Sequence, residues 1–158
     1  MSIKIIFAGG GTAGHVEPAL AVANWLRTSK PDWQYSFVGT KKGLENKLVP
    51  QAGFELLYIP KVVMPRVLTP SLFIWPIKLL IATWQGVKIC RGADLVIGFG
   101  GYACPPVYLA AAILRKPIFI HEANSIPGWA NKLGAPFATK IFVAFNRAQL
   151  KVGRWRSA

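Results

Sequence analysis

The apolar run Ile3-Lys4-Ile5-Ile6-Phe7-Ala8 leads directly into Gly9-Gly10-Gly11-Thr12-Ala13-Gly14-His15. A strand that feeds a glycine loop and then opens a helix leaves backbone N–H groups and the positive helix end turned toward whatever binds there. His15, at the exit of the loop, adds a titratable ring beside that ligand. The pattern implies an α/β protein that handles a nucleotide or a phosphosugar.

The rest of the chain alternates in the same way. Short runs rich in Val, Ile, Phe and Leu predict strands over 3–8, 35–38, 54–59, 95–98, 118–121 and 140–143. Helices are expected between them, over 18–28, 42–51, 76–91, 105–114 and 128–135, with Pro18, Pro76 and Pro106 near their starts. Strands separated by helices imply right-handed crossovers and a mostly parallel sheet, covered on both faces because its strands are apolar throughout. The fold class is therefore α/β, a Rossmann-like doubly wound parallel sheet. Ligands of such sheets bind at the carboxyl ends of the strands. Three unusual loops, 9–15, 98–106 and 121–128, fall at that edge.

The chain has 158 residues, enough for one domain with a sizeable core, and its 53% hydrophobic content excludes disorder. Net charge is +13, from 19 basic and 6 acidic residues. No acid lies between Glu55 and Asp94, where Lys61, Arg66, Lys78, Lys88 and Arg91 fall, and none follows Ala123. Such a surface attracts phosphate, on an anionic membrane or elsewhere, or is a solvated basic face. Nucleic acid is not expected, since no basic-aromatic signature or zinc-finger spacing occurs. Cys90 and Cys104 have neither disulfide nor metal-ligand spacing and read as reduced thiols. No signal peptide is legible, because Lys4 and the glycines interrupt the early apolar residues. The uncharged stretch 95–114 is broken by Gly98, Gly100, Gly101, Pro105 and Pro106, which argues against a membrane span. In 76–91, Ile77, Leu80, Ile81, Trp84 and Val87 recur at helical spacing. With the apolar and basic segment 60–75 before it, where Pro65 and Pro70 oppose a long regular element, that helix would dock on a membrane surface or pack on the sheet.

Gly9-x-Gly11-x-x-Gly14 matches the dinucleotide fingerprint, but that reading needs an acid at the end of the second strand. The chain has Val38-Gly39-Thr40-Lys41-Lys42 there, which disfavours NAD and leaves an NADP-binding oxidoreductase as an alternative, with Lys41 and Lys42 facing a 2′-phosphate. Transfer chemistry suits the other residues better. At a helix start the dipole disfavours an imidazolium, so His15 would be a ring able to take a proton from an attacking hydroxyl, or else a cap for the loop. His121-Glu122-Ala123-Asn124 ends a strand with a carboxylate and a carboxamide that would bind sugar hydroxyls or orient a neighbour, or simply shape a turn with Ser125, Pro127 and Gly128. Gly98-Phe99-Gly100-Gly101-Tyr102 would be a second backbone cradle for phosphate, or a glycine turn needed for close packing.

Taken together, Gly10-Gly11-Thr12-Ala13-Gly14-His15 with Pro18-Ala19-Leu20-Ala21, Gly39-Thr40 with Glu45, Gly100-Gly101-Tyr102, and His121-Glu122-Ala123-Asn124 with Gly128 and Asn131-Lys132 resemble the N-terminal half of the MurG family of peptidoglycan N-acetylglucosaminyltransferases. The resemblance runs from about Lys4 to Phe145, with the motifs in family order. It implies the N-terminal domain of a GT-B glycosyltransferase that moves N-acetylglucosamine from UDP-N-acetylglucosamine to lipid I, giving lipid II with inversion. Neither a cofactor nor a metal is expected. The domain would hold the acceptor diphosphate through its glycine loops, Gly100, Gly101 and Tyr102 among them, and sit peripherally on the cytoplasmic face of the cell membrane. Thr12, Ala13 and Gly14 would lie against the donor, and Asn124 would contact its N-acetylglucosamine. His15 would be the catalytic base or transition-state stabiliser, with Glu122 a second candidate. A non-catalytic, membrane-bound binding module is the alternative from outside enzymology.

Two departures stand out. Ala13 and Ala123 replace a glycine and a glutamine common in the family. The segment 146–158 is a basic tail where the family continues into a linker and second domain. It reads as a truncated or frameshifted end to domain 1–145, with little turnover expected from the chain alone, or with the C-terminal half encoded separately.

Overall fold

The structure is a computed structural model that describes residues 2–64, 71–146, 148 and 150. Six parallel strands form one sheet: β1 (Lys4–Ala8), β2 (Gln34–Gly39), β3 (Glu55–Tyr58), β4 (Leu95–Gly98), β5 (Ile118–Glu122) and β6 (Lys140–Val143), in the order β3-β2-β1-β4-β5-β6. Helices α1 (Ala13–Ser29), α2 (Glu45–Gln51), α3 (Ser71–Cys90), α4 (Cys104–Ile113) and α5 (Trp129–Gly134) connect them. The doubly wound expectation holds.

Alternation along β1 shows why both faces are covered. Ile5 and Phe7 point into one core layer with Val16, Ala19 and Ala23 of α1 and Val49 of α2. Ile6 and Ala8 point into the other, with Val87 and Cys90 of α3 and Val107 and Ala111 of α4. A period of two on a strand buried on both sides yields a continuous apolar run rather than alternation. Sequence order reverses between β1 and β4, so the β1–α1 and β4–α4 loops diverge there and leave a crevice.

Three helix starts differ from expectation by more than one residue: α2 begins at Glu45 rather than 42, and two others begin ahead of their prolines. Helix α1 begins at Ala13 and α3 at Ser71, so Pro18 and Pro76 lie inside them. Each proline forfeits one ladder bond. Residues 71–75, expected to be irregular because of Pro65 and Pro70, are therefore helical, whereas 65–70 lie outside the described residues. The stripe on α3 also turns outward. Ile77, Leu80, Ile81 and Trp84 are between 51% and 70% exposed, and only Val87 of that set is buried. The inner face is instead made of small residues. Gly86 lies so near α4 that a Cβ there would stand 3.0 Å from the Ala110 methyl.

Candidate active site

Three loops at the carboxyl edge, following β1, β4 and β5, surround one hollow of about 400 Å³. Gly10, Gly11, Thr12 and His15 come from the first, Gly100, Gly101 and Tyr102 from the second, and Glu122, Asn124 and Asn131 from the third. The sequence-predicted residues are thus brought together, apart from Ala13 and Gly14. These two are exposed in the first turn of α1, outside the lining of the hollow.

Backbone geometry explains the glycines of the second loop. Gly100 and Gly101 adopt φ of 96° and 84°, where other residues are strained. A Cβ on Gly100 would press within 3.1 Å of His15 Nε2, and one on Gly101 would meet the Gly10 carbonyl oxygen. The glycine loops therefore touch backbone to backbone, and Cys104 braces them from below. Its Sγ accepts from the Gly100 N–H (3.2 Å) and donates toward the carbonyls of Ala8 and Gly100 (3.2 and 3.1 Å). Burial pushes that thiol up to about 11, so it stays protonated and able to donate. Gly101→Ala is expected to cost about 2 kcal/mol, the upper end of left-handed strain, because its methyl also meets the Gly10 carbonyl. The check is a fall in melting temperature of roughly 4–8 °C.

Thr12 caps α1 through its backbone, in extended conformation, with no hydrogen bond from its side chain to the helix. Its carbonyl accepts from the N–H groups of His15 and Val16, whereas its hydroxyl lies 3.1 Å from His15 Nδ1. The Ala13 and Gly14 N–H groups of the first turn receive no cap from the Thr12 side chain. His15 Nδ1 also lies 3.2 Å from the Gly10 carbonyl. A carbonyl can only accept, so this contact is a hydrogen bond when Nδ1 carries a proton, and in that neutral tautomer the lone pair is on Nε2, beside Gly100.

Glu122 is buried, and its oxygens are filled from its own loop. Oε1 accepts from the Asn124 N–H and Nδ2 (2.9 and 2.8 Å), and Oε2 from the Gly128 N–H and Asn131 Nδ2 (both 3.0 Å). Asn131 in turn accepts from the Tyr108 hydroxyl at 2.8 Å. Burial raises the Glu122 carboxyl, but these donors outweigh it and hold the group below its ordinary value of 4.5. Glu122 therefore orients Asn124, whose Oδ1 has no partner among the described residues. Because the folded-state pKa is depressed, this stabilisation is present above pH 4.5 and is lost as pH falls through the folded value. Exchange protection of the Asn124 and Gly128 amides should vanish in that acid window. Loss beginning well above pH 5 would contradict the assignment.

Two residues beyond the expected set complete the site. Glu45, at the start of α2, is fully buried and accepts from the Gly11 N–H (3.1 Å), the Thr40 N–H (2.9 Å), the Thr40 hydroxyl (3.1 Å) and the Tyr102 hydroxyl (3.0 Å). It clamps the loops after β1, β2 and β4 together. Lys61, expected only as part of a basic surface, holds its ammonium 4.7 Å from the Tyr102 ring centre at the mouth of the hollow. The sole sequence signal for Glu45 was its place after Gly39-Thr40, and Lys61 had none.

The glycosyltransferase family 28 N-terminal domain matches residues 5–143. The chain belongs to that family. It is 48% identical over 155 residues to the UDP-N-acetylglucosamine--N-acetylmuramyl-(pentapeptide) pyrophosphoryl-undecaprenol N-acetylglucosamine transferase of Thermobifida fusca, covering 97% of this chain and 41% of that protein. The transferase of the same name from Streptomyces coelicolor is 46% identical, covering 97% and 43% respectively. The crystal structure of Acinetobacter baumannii MurG superposes with a TM-score of 0.80 at 32% identity, covering 95% of this chain and 45% of that one. The chain thus spans about two fifths of the length of these curated relatives. Family membership sets aside the nicotinamide alternative, and Lys41 and Lys42 line a separate groove, outside the loop hollow.

Proposed function

We propose that this chain is the acceptor-side domain of a transferase that moves N-acetylglucosamine from UDP-N-acetylglucosamine to N-acetylmuramyl-(pentapeptide) pyrophosphoryl-undecaprenol, lipid I. One observation carries the reading: the loops after β1, β4 and β5 line a single hollow, with His15 and the glycines of two loops among its walls. Glycines at positive φ let the backbone approach a pyrophosphate closely, and the start of α1, a 17-residue helix, adds its positive end beside the hollow. In this reading Nε2 of His15 takes the proton of the attacking acceptor hydroxyl as the new glycosidic bond forms and UDP departs. Asn124 Oδ1 accepts from the donor sugar, and Glu122 is a positioning residue behind it. Thr12, Ala13 and Gly14, at the outer rim, meet the donor. Such chemistry depends on a complementary C-terminal half, on a longer chain or encoded separately, to complete the cradle for the uridine diphosphate.

The exposed apolar face of α3 fits peripheral docking on the cytoplasmic face of the cell membrane. Phe73, Ile74, Ile77, Leu80 and Trp84 project outward, flanked by Lys78 and Lys88. Among the described residues no helix is long and apolar enough to cross a membrane.

Titrating the chain with inorganic pyrophosphate while recording amide NMR spectra tests the central claim. Shifts should concentrate at Gly10–Thr12 and Gly100–Tyr102, and Gly101→Ala should remove them. Shifts spread over the basic surface, unaffected by that substitution, would overturn it.

A further inference from the structure

Beside the hollow lies a larger groove of about 1030 Å³, which the proposed chemistry does not use. Lys41 and Lys42 stand on one side of it, Lys78 and Gln85 of α3 on the other, and Lys61 where it joins the hollow. All four lysines are exposed, and no acid occurs among the described lining residues. Four ammonium groups around a concavity, with no internal counter-charge, select an anionic occupant. The two spaces share Lys61 and Val63, so a ligand anchored in the hollow would extend into the groove. A flat bilayer surface would not fill a concavity of this kind, but an extended chain would.

We infer that the groove binds the peptide arm of the acceptor, with the lysines gathered around its terminal carboxylate. The inference rests on the acceptor reading above. The named substrate of the relatives carries a pentapeptide on its muramyl sugar, next to the pyrophosphate. A peptide amide-linked to muramic acid through its amino end keeps a free terminal carboxylate. Five extended residues reach at most about 17 Å, and the shared Lys61 and Val63 make the two spaces adjoin. The exposed Gln85 amide can hydrogen-bond to peptide groups, and the Tyr58 hydroxyl, which donates to Asn46 Oδ1, can still accept from a peptide N–H.

The test uses the full chain, 15N-labelled, with soluble N-acetylmuramyl pentapeptide lacking pyrophosphate and lipid. Amide shifts should appear at Lys41, Lys42, Tyr58 and Lys61. Replacing Lys41, Lys42 and Lys78 together by Ala should weaken binding roughly tenfold, at about twofold per exposed charge pair. Amidating the peptide's terminal carboxylate should weaken binding to the unaltered chain severalfold, a measurement independent of how the variant folds. Unchanged affinity in both arms, or displacement of the peptide from these amides by anionic lipid vesicles, would overturn the inference. Pyrophosphate serves as the parallel probe. If it shifts the glycine loops while the peptide leaves the groove untouched, the groove inference alone falls. If the peptide binds the groove but pyrophosphate does not move the loops, the diphosphate reading falls.

Discussion

Glu45→Gln should destabilise the chain by about 3 kcal/mol, the largest stability loss expected from any single polar change in the site. Glu45 is fully buried, and every group it touches is a donor: two backbone N–H groups and two hydroxyls. Glutamine keeps one accepting oxygen but sets an NH₂ against donors at the other position, so one of the two buried N–H groups loses its acceptor and faces another donor instead. The Gly11 N–H belongs to the β1–α1 loop and the Tyr102 hydroxyl to the β4–α4 loop, so releasing them also widens the hollow. Urea titration with a loss of stability, together with weakened pyrophosphate shifts at Gly10–Thr12 and Gly100–Tyr102, is the expected pair of results. A loss below about 1 kcal/mol would mean that the clamp is replaceable.

His15→Ala should lower kcat by about 100-fold or more, the range for removing a positioned general base, and barely alter stability. The measurement is sugar transfer by the chain supplied with the C-terminal portion of a family relative. The ring is only half-buried and makes two local contacts through Nδ1, so little packing is lost with it. If the unaltered chain turns over and His15→Ala matches it, Nε2 takes no proton in the reaction. If neither version turns over while both bind pyrophosphate, a non-catalytic binding module becomes the better description.

How much of this was legible in the sequence varies with the range of the interactions. The strands of the sheet appear within one or two residues of their predicted ends, because a buried parallel strand is written as a short local apolar run bounded by turn residues. Helix starts were less legible. Proline at a first turn is a common signal, yet Pro18 and Pro76 each sit a turn further in, because packing of the whole helix outweighs one lost bond. Glu122 shows the same limit at the site. As an acid at a strand end it invited a catalytic role, but Asn124, Gly128 and Asn131 supply donors to both of its oxygens.

By itself the sequence determined the α/β alternation, the position of three loops at the carboxyl edge of the sheet and the presence of His15 among glycines, since periodicity and turn chemistry act over a few residues. Only the tertiary structure decided that Glu45 clamps three loops, that Lys61 joins two cavities, and which face of α3 stays exposed. The partners of Glu45 lie as far as 57 residues away, at Tyr102, and in α3 the large apolar stripe faces out while a face of small residues packs inward, which local spacing does not mark.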